Sequence, residues 1–570
     1  MAVRERAVPV LEHMLATTFV PGTNRRGGLP EVSWTLLLDR LELGHVTCLG
    51  QPRPRMLRAL ERRARAVTIV TAHDPACHRA RQRLERAGFG SIGVVSIARV
   101  GDLTDTDLAV VLGRRWLRRA AADGGLAALL SASGAVYVES GRAGRAELAA
   151  LPTSGPVVRL WLWVVDGDVR LAAGLDDDAA VAFLRRPPAA QPIERSRPRP
   201  RELVRHVRRH GRGGERIGAL TVATRAAWGP GAPVPGYIRA IAAAAGEPLD
   251  GCRVALAAPG DYPSRKAILS VFPPDGAEPR YIVKVARDPA FNGRLENEHR
   301  ALRMLAAAGI GDPATVPRAS FFGHDGGLAV LAQTAIPGVP FRQVARGAHE
   351  CPFARAAIAW LMELGAGTAD RTVAEPAQAA AALGVLLDRF ARLYRPTVAE
   401  HELLAEQIDA VAASRRPFPL VFQHGDPGVW NLLVTPDGRP AFLDWEAAEP
   451  HGMPLWDLFY AARSVGIGVA RATGARSSLD AFAEQYLADG PLSRALADDV
   501  GRHCAQIDLD PALVGPLFLT CWMHRALKEA ARLEPHRLAN GRYARLLRLC
   551  LQRRDAPGLT RLCGAAAGRA

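Results

Sequence analysis

The sequence predicts a chain of mixed class, an α/β part followed by an α+β part, and three observations lead to this prediction. Its 570 residues exceed what one hydrophobic core usually holds, so several domains are expected. Apolar residues make up 48% and charged residues 23%, which is typical of a globular chain. Short apolar runs alternate with helix-like segments in the first third, whereas a group of strands precedes long helical segments in the remainder.

The first part, residues 1–184, alternates strands with helices. Strands are predicted at 45–50, 66–71, 92–98, 107–113 and 134–140, with helix-like segments after the first and the second. Residues 158–175 follow as a hairpin that turns at Asp166 and Gly167. Alternating strands and helices favour a parallel sheet covered on both faces, so we predict a Rossmann-like, doubly wound domain.

Residues 185–216 are rich in Pro, Arg and Gly and lack sustained apolar periodicity, so they are predicted to be a linker, with a short helix near 203–207. The net charge of +16 permits anionic partners. However, no aromatic residues are interleaved among the linker arginines for base stacking, which argues against nucleic acid as a partner.

Cellular location is indicated by what the sequence lacks. No run approaches the roughly 20 apolar residues needed to cross a bilayer. The first 20 residues show no export signal, and the eight cysteines are scattered without CxxC pairs. The sequence therefore predicts a cytoplasmic protein with reduced thiols.

The order and spacing of residues 35–175 resemble those of class I SAM-dependent methyltransferases, with "TDLAVVLG" as the fourth strand and "LAALLSASGAVYVES" as the following helix and strand. Two features depart from that family. The first turn, "LGQPRPR", has Gly50 and then two prolines where a glycine-rich turn is expected, and the acidic residue after the second strand, Asp74, comes late. We therefore interpret this domain as a degenerate relative that keeps the fold.

The second part contains two strands within 252–272, joined by a turn at Pro259 and Gly260. A third strand, 280–286, carries Lys284, and an amphipathic helix, 294–309, follows it. Two polar motifs lie farther on, "VFQHGDPGVWNLLV" at 421–434 and "AFLDWE" at 441–446.

This order of elements and both motifs resemble the aminoglycoside phosphotransferase/choline kinase family over about residues 250–530. The resemblance implies a bilobal, protein-kinase-like fold, with a small lobe at 217–336 and a mostly helical large lobe with C-terminal helices at 337–570. It also implies an enzyme that transfers the γ-phosphate of ATP or GTP to a hydroxyl group, with Mg²⁺ as cofactor.

The resemblance assigns a role to each polar residue of the two motifs. Asp426 would be the catalytic base, and His424 beside it would support the loop by hydrogen bonding more than transfer protons. Asn431 and Asp444 would supply the hard oxygen ligands that Mg²⁺ prefers. Gly425 would permit a tight backbone, and Asp457 would support the catalytic loop.

The nucleotide would contact the small lobe. Lys284 would hold the α- and β-phosphates, paired with Glu298, because only Glu298 has leucines four and seven residues later. Gly260 and Ser264 would cover the phosphates, and Thr334 and Ala335 in "QTAIPG" would contact the adenine. Lysine occurs only at Lys266, Lys284 and Lys528, so a lysine within an apolar strand indicates a role that arginine cannot fill.

The acceptor is left open by the sequence. Aminoglycosides are polycations and need an acidic pocket, and the region after the hinge carries several acidic residues: Glu363, Asp370, Glu375, Asp388, Glu400, Glu402 and Glu406. The basic C-terminal stretch 541–570 instead favours a sugar, an amino alcohol or a glycoconjugate precursor. Residues 543–554 form either a packed terminal helix or a peripheral membrane contact.

Two alternatives to a small-molecule kinase remain at this point. One is a non-catalytic nucleotide-binding scaffold, and the other is a bifunctional methyltransferase–kinase. The intact set of Lys284, Asp426, Asn431 and Asp444 argues against the first, and the missing glycine turn after Leu49 argues against the second.

Overall fold

The N-terminal part is a parallel sheet in the computed structural model, which describes residues 32–103, 106–113, 115–116, 118, 130–140, 157–165, 168–185, 214–222, 232–258, 265–344, 351–472 and 477–564. Its strands are β1 (Leu43–Leu49), β2 (Ala64–Thr71), β3 (Gly93–Ser96), β4 (Thr106–Leu112) and β5 (Leu130–Ser140). They lie in the order β3-β2-β1-β4-β5, and every neighbouring pair is parallel. Helices α1 (Pro54–Arg63) and α2 (Asp74–Arg86) connect the first three strands. The predicted doubly wound sheet is therefore confirmed.

Three antiparallel strands extend this sheet: β6 (Val157–Val165), β7 (Asp168–Gly174) and β8 (Gly214–Val222), with helix α3 (Asp178–Arg185) after β7. β8 lies between β5 and β6 and pairs with both. The sequence predicts that residues 214–216 end the linker and that residues 217–222 begin the small lobe. In the structure, residues 214–222 form a strand of the N-terminal sheet instead. The apolar run 217–222 explains the difference, because it forms a strand that hydrogen-bonds at both edges. The rest of the expected linker, with its short helix, lies outside the described residues.

The small lobe contains β9 (Ala232–Pro233), α4 (Gly236–Ala244), β10 (Arg253–Ala257), β11 (Ala267–Phe272), β12 (Tyr281–Val285), α5 (Asn292–Ala307), β13 (Ala319–Asp325) and β14 (Leu328–Thr334). Its antiparallel strands follow the order β10-β11-β12-β14-β13. β10 also pairs with β7, so one sheet of fourteen strands runs through both parts, counted over the described residues.

The N-terminal part and the small lobe also share one hydrophobic core, which includes Val46 of β1 and Val283 of β12. The segment before β1 contacts the small lobe directly. The hydroxyl of Tyr237 donates to the carbonyl oxygen of Leu36 at 3.0 Å, and the backbone N–H of Leu41 donates to the Asp325 carboxylate at 2.7 Å. Experiments on this protein should therefore use the full chain, because a cut near residue 216 divides a sheet and a core.

The large lobe is mostly helical, as predicted. Its helices are α6 (Phe341–Val344), α7 (Pro352–Thr368), α8 (Pro376–Tyr394), α9 (Val398–Ala412), α10 (Trp456–Ala472), α11 (Ser478–Tyr486), α12 (Pro491–Ile507), α13 (Val514–Ala530), α14 (Arg542–Gln552) and α15 (Pro557–Gly564). Its strands are β15 (Val339–Pro340), β16 (Val421–Gln423), β17 (Leu432–Val434), β18 (Pro440–Phe442) and β19 (Glu449–Gly452). The short strands β16 to β19 surround the two polar motifs and fix their backbones through pairing.

The C-terminal helix α14 is amphipathic and packs within the chain. Its apolar residues Tyr543, Leu546, Leu547 and Cys550 are buried in the core of the large lobe. This burial agrees with the interpretation as a packed terminal helix, and the membrane contact stays a prediction. Among the described helices, none has the length and apolar character that a membrane crossing requires.

Candidate active site

A buried ion pair joins β12 to α5. Lys284 Nζ donates to Glu298 Oε1, and the two side chains are 6% and 0% exposed. The backbone N–H of Trp445 donates to the same oxygen at 3.1 Å, so α5 is tied to the segment after β18 as well. The alternative partner, Glu296, is half exposed and lies 3.4 Å from His324. The structure thus brings Lys284 and Glu298 together, as the leucine spacing predicts.

Asp444 lies where this ion pair meets the large lobe. Its backbone is left-handed, with φ of 69°, which directs the chain from β18 into a short turn. Lys266 donates to Asp444 Oδ1, and Lys284 Nζ lies 3.6 Å from the same atom. Burial raises the pKa of Asp444, but the two ammonium groups outweigh this effect and hold it well below its usual range.

Lys266 is a site residue that the sequence analysis missed. Besides Asp444, it lies 2.8 Å from Glu446 and 3.5 Å from Glu298. These three carboxylates outweigh the effect of burial and raise the pKa of Lys266, so its ammonium stays charged. The scarcity of lysine, which singled out Lys284, applies equally to Lys266 and was the signal that could have found it.

The loop after β16 is fixed by backbone hydrogen bonds to Asp457. Its carboxylate accepts from the N–H of His424 at 2.6 Å and from the N–H of Gly425 at 3.1 Å. The buried His424 ring donates from Nε2 to the carbonyl oxygen of Leu443 at 2.9 Å and accepts at Nδ1 from the N–H of Asp426 at 3.2 Å. Burial lowers the pKa of His424, so the ring is neutral. These contacts favour a supporting role for both residues.

Gly425 occupies a position that no side chain fits, and this gives a testable prediction. Its φ is +75°, and a Cβ atom would lie 1.8 Å from the carbonyl oxygen of Ala447. Gly438 has a similar φ of +83°, but its nearest contact would be 3.7 Å away, at Phe353. We expect Gly438→Ala to cost about 1–2 kcal/mol of unfolding free energy for the left-handed backbone alone. Gly425→Ala should cost more in the same denaturant titration, and equal losses would contradict this account.

Asp426 lies at the end of this loop, with its side chain 35% exposed. Arg525 donates to Asp426 Oδ1 at 2.6 Å, and Trp430 Nε1 donates to Oδ2 at 3.3 Å. Burial raises the pKa of Asp426, but Arg525 and Lys528 outweigh it, so the net pKa lies below the usual range. The carboxylate is therefore ionised and held in one orientation.

Asn431 and Asp444 are adjacent across β17 and β18, because the N–H of Leu443 donates to the carbonyl oxygen of Asn431 at 2.8 Å. The side-chain NH₂ of Asn431 donates to the backbone oxygen of Asp426 at 3.0 Å, which leaves its amide oxygen as the acceptor. One carboxylate and one amide oxygen form the donor set that suits Mg²⁺, whose other ligands are phosphate and water. These two residues therefore fit the expected cofactor.

Helix α13 adds two cations that the sequence analysis did not place. Arg525 Nη1 and Lys528 Nζ both donate to the carbonyl oxygen of Gly425, at 2.8 and 3.2 Å. The Arg525 guanidinium also lies over the ring of Tyr460, 3.2 Å from its centroid. All three lysines of the chain thus converge on the two polar motifs.

The remaining predicted nucleotide contacts lie in the segment after β10 and at the hinge at the end of β14. Gly260 and Ser264 lie outside the described residues. The backbone N–H groups of Thr334 and Ala335 donate to the carbonyl oxygens of Arg318 and Arg280, at 2.9 and 3.0 Å. Adenine recognition at this hinge would therefore need groups other than these two N–H donors.

A cavity of about 560 Å³ lies apart from these residues, between the end of α5, helix α7 and the turn before β18. Trp360, Glu363 and Leu364 line it on one side, and Asp312 and Arg439 line it on the other. Asp312 pairs with Arg439 at 2.6 Å. Glu363 is the second carboxylate that lines the cavity. The cavity contains none of the predicted site residues.

Residues 273–497 match the model of the phosphotransferase enzyme family. Among solved structures, the chain is similar to aminoglycoside-3'-phosphotransferase of type VIII, with 21% identity, a TM-score of 0.31, and coverage of 49% of this chain and 94% of the other. Choline kinase LicA from Streptococcus pneumoniae shows 14% identity and a TM-score of 0.25, with coverage of 50% and 89%. The bifunctional kinase-methyltransferase WbdD shows 10% identity and a TM-score of 0.24, with coverage of 95% and 100%.

The search of curated proteins finds no match. The family match and the side-chain geometry together support a phosphotransferase-like site. Both cover the same elements, from β12 through the polar motifs. The match of residues 273–497 to the phosphotransferase enzyme family therefore agrees with the resemblance that the sequence shows.

Proposed function

We propose that this protein transfers the γ-phosphoryl group of ATP or GTP to a hydroxyl group of a small molecule. One observation carries the proposal. The Lys284–Glu298 ion pair, Asp444, Asn431 and Asp426 come from distant segments and meet where the small lobe contacts the large lobe. A non-catalytic scaffold would not need all these groups in one place.

On the nucleotide side, the chain presents two ammonium groups beside one carboxylate. Lys266 and Lys284 both contact Asp444 in the structure, and both would bind phosphate oxygens when the nucleotide enters. A Mg²⁺ ion held by Asn431 and Asp444 would neutralise phosphate charge. Glu298 keeps Lys284 in position, and Glu446 does the same for Lys266.

On the acceptor side, Asp426 orients the hydroxyl. A bond forms between the hydroxyl oxygen and the γ-phosphorus, the bond to the β–γ bridging oxygen breaks, and the nucleoside diphosphate leaves. The hydroxyl proton passes to Asp426. Because Arg525 keeps the pKa of this carboxylate low, the proton moves late, which suits a loose transition state in which positioning matters most.

A screen for ADP or GDP formation tests the proposal. The full chain with Mg²⁺ and ATP or GTP is incubated with sugars, amino alcohols, glycoconjugate precursors and aminoglycosides. We expect diphosphate formation that depends on one class of hydroxyl compound. A nucleotide that binds but is never consumed with any acceptor would favour the scaffold instead.

The N-terminal domain is not expected to bind SAM. In a doubly wound sheet the ligand binds at the carboxyl ends of the strands where the order reverses, here between β1 and β4. At the end of β1, a Cβ atom on Gly50 would lie 2.8 Å from the Trp116 indole, so this ring already packs against the backbone that a cofactor would approach. Calorimetric titration of the full chain with SAM should show no binding, and micromolar affinity would revive the bifunctional alternative.

A further inference from the structure

We propose that helix α13 forms an anion subsite beside Asp426, in which the ammonium group of Lys528 binds phosphoryl or carboxylate oxygens. The inference rests on the proposed function, because it describes the acceptor side of the same site. It concerns Arg525 and Lys528, which lie 79 and 82 residues after the end of the second polar motif.

The two cations of the subsite share one backbone carbonyl oxygen as their acceptor. Arg525 and Lys528 are three residues apart on α13, and both donate to the carbonyl oxygen of Gly425, at 2.8 and 3.2 Å. The second nitrogen of Arg525 reaches Asp426 Oδ1 at 2.6 Å. Lys528 Nζ is therefore held against the residue that precedes Asp426, and its charge acts on the carboxylate that would face the acceptor hydroxyl.

The two cations differ in their partners. Arg525 is neutralised by Asp426 and covered by Tyr460. Within the part of the chain that the structure describes, Lys528 has one hydrogen bond, to Gly425, and no carboxylate within 4 Å of its ammonium. Two of its three N–H groups are thus available to a ligand.

This arrangement costs stability unless an anion offsets it. Like charges three or four residues apart on one helix repel each other, and burial adds a desolvation penalty. Burial and Arg525 lower the pKa of Lys528 for these two reasons. Burial raises the pKa of the nearby Glu449 to about 6, and the carboxylates of Glu449, Asp426 and Asp457 offset part of this cost. A phosphoryl or carboxylate group would accept from the two remaining N–H groups of Lys528 and offset the rest of the cost.

Four of the seven acidic residues after the hinge that a polycationic acceptor could use have other roles. Glu375 and Glu400 belong to the capping boxes of α8 and α9. Asp370 binds the N–H and the hydroxyl of Thr372, at 2.8 and 2.7 Å. Glu363 lines the separate cavity. These roles, together with the Lys528 ammonium beside Asp426, favour a neutral or anionic acceptor.

The bound oxygens have two possible sources with the same chemistry. They belong either to the transferring γ-phosphoryl group or to an anionic group of the acceptor. In the first case, a γ-phosphate and free phosphate would compete for Lys528. In the second case, both would bind at the same time.

A phosphate titration of three full-length proteins tests the subsite. The proteins are the wild type, Lys528→Met, and the control Arg545→Gln, which removes one exposed positive charge from the neighbouring helix α14. Inorganic phosphate binding is followed by ³¹P line broadening. Loss of a charge-assisted contact should weaken the affinity of Lys528→Met by about tenfold, with little change in the control. Lys528→Arg should retain most of the affinity, which a purely structural role would not predict.

Equal phosphate affinities in the wild type and Lys528→Met would overturn the inference, whether or not the protein proves to be a kinase. Repeating the titration with saturating Mg²⁺ and a non-hydrolysable ATP analogue separates the two sources. Competition assigns the subsite to the γ-phosphoryl group, and simultaneous binding assigns it to the acceptor. Failure of the wild type to form diphosphate with any acceptor refutes the proposed function and leaves the phosphate result intact.

Discussion

Asp426→Asn should lower turnover by about 10²–10⁴-fold and leave nucleotide affinity nearly unchanged. The substitution keeps the shape of the side chain and, with the amide oxygen in the Oδ2 position, the hydrogen bonds from Trp430 and Asn431. It removes the charge that pairs with Arg525 and orients the acceptor hydroxyl. Steady-state rates of diphosphate formation and calorimetric nucleotide titration measure the two effects separately.

Asp444→Ala is the matched comparison for this experiment. It removes the carboxylate expected to hold Mg²⁺, together with the partner of Lys266 and Lys284. Both turnover and affinity for the metal–nucleotide complex should therefore fall. Near-wild-type transfer by Asp426→Asn would show that Asp426 is not the base. The scaffold interpretation would then be favoured.

Lys284→Met should lower the free energy of unfolding by about 3 kcal/mol or more, because it leaves Glu298 charged and buried without its closest partner. Because Lys266 lies 3.5 Å from Glu298, it compensates for part of the lost positive charge. The loss of unfolding free energy should therefore lie near the lower end of the range for a broken buried ion pair. The nucleotide affinity should fall as well. Denaturant unfolding and calorimetric nucleotide titration measure these changes.

The double variant Lys284→Met with Glu298→Gln separates stability from binding. It removes both charges and keeps an oxygen that can accept from the Trp445 N–H. We expect it to be more stable than Lys284→Met alone, with the nucleotide affinity still low. A double variant no more stable than the single one would mean that the ion pair does not account for the loss.

The sequence predicts the parts of the site that depend on short-range spacing. Glu298 follows from leucines four and seven residues later, and the cluster of His424, Asp426 and Asn431 lies within eight residues. Lys266, Arg525 and Lys528 have no such local signal, because distant elements bring them to the site. Only the scarcity of lysine in the chain marks two of them, Lys266 and Lys528.

The same limit applies to the fold. Individual strands such as 107–113 and 280–286 follow from their own apolar runs, and the structure has strands at both places. The position of β8 between β5 and β6 does not follow, because strand order depends on long-range pairing that a local pattern does not encode. For the same reason, the joining of the two parts through β7 and β10 was not predicted.

The melting temperature of the full chain with Mg²⁺ and ATP or GTP tests the central claim most directly, namely that Lys284, Asn431 and Asp444 form a nucleotide site. Ligand binding to the native state should add about 2.7 kcal/mol of stability at a hundredfold excess over Kd, and the melting temperature should rise accordingly. Asp444→Ala should show a smaller rise at the same concentrations. If neither nucleotide with Mg²⁺ shifts the melting temperature of the wild type, the site does not bind nucleotide and the account is wrong.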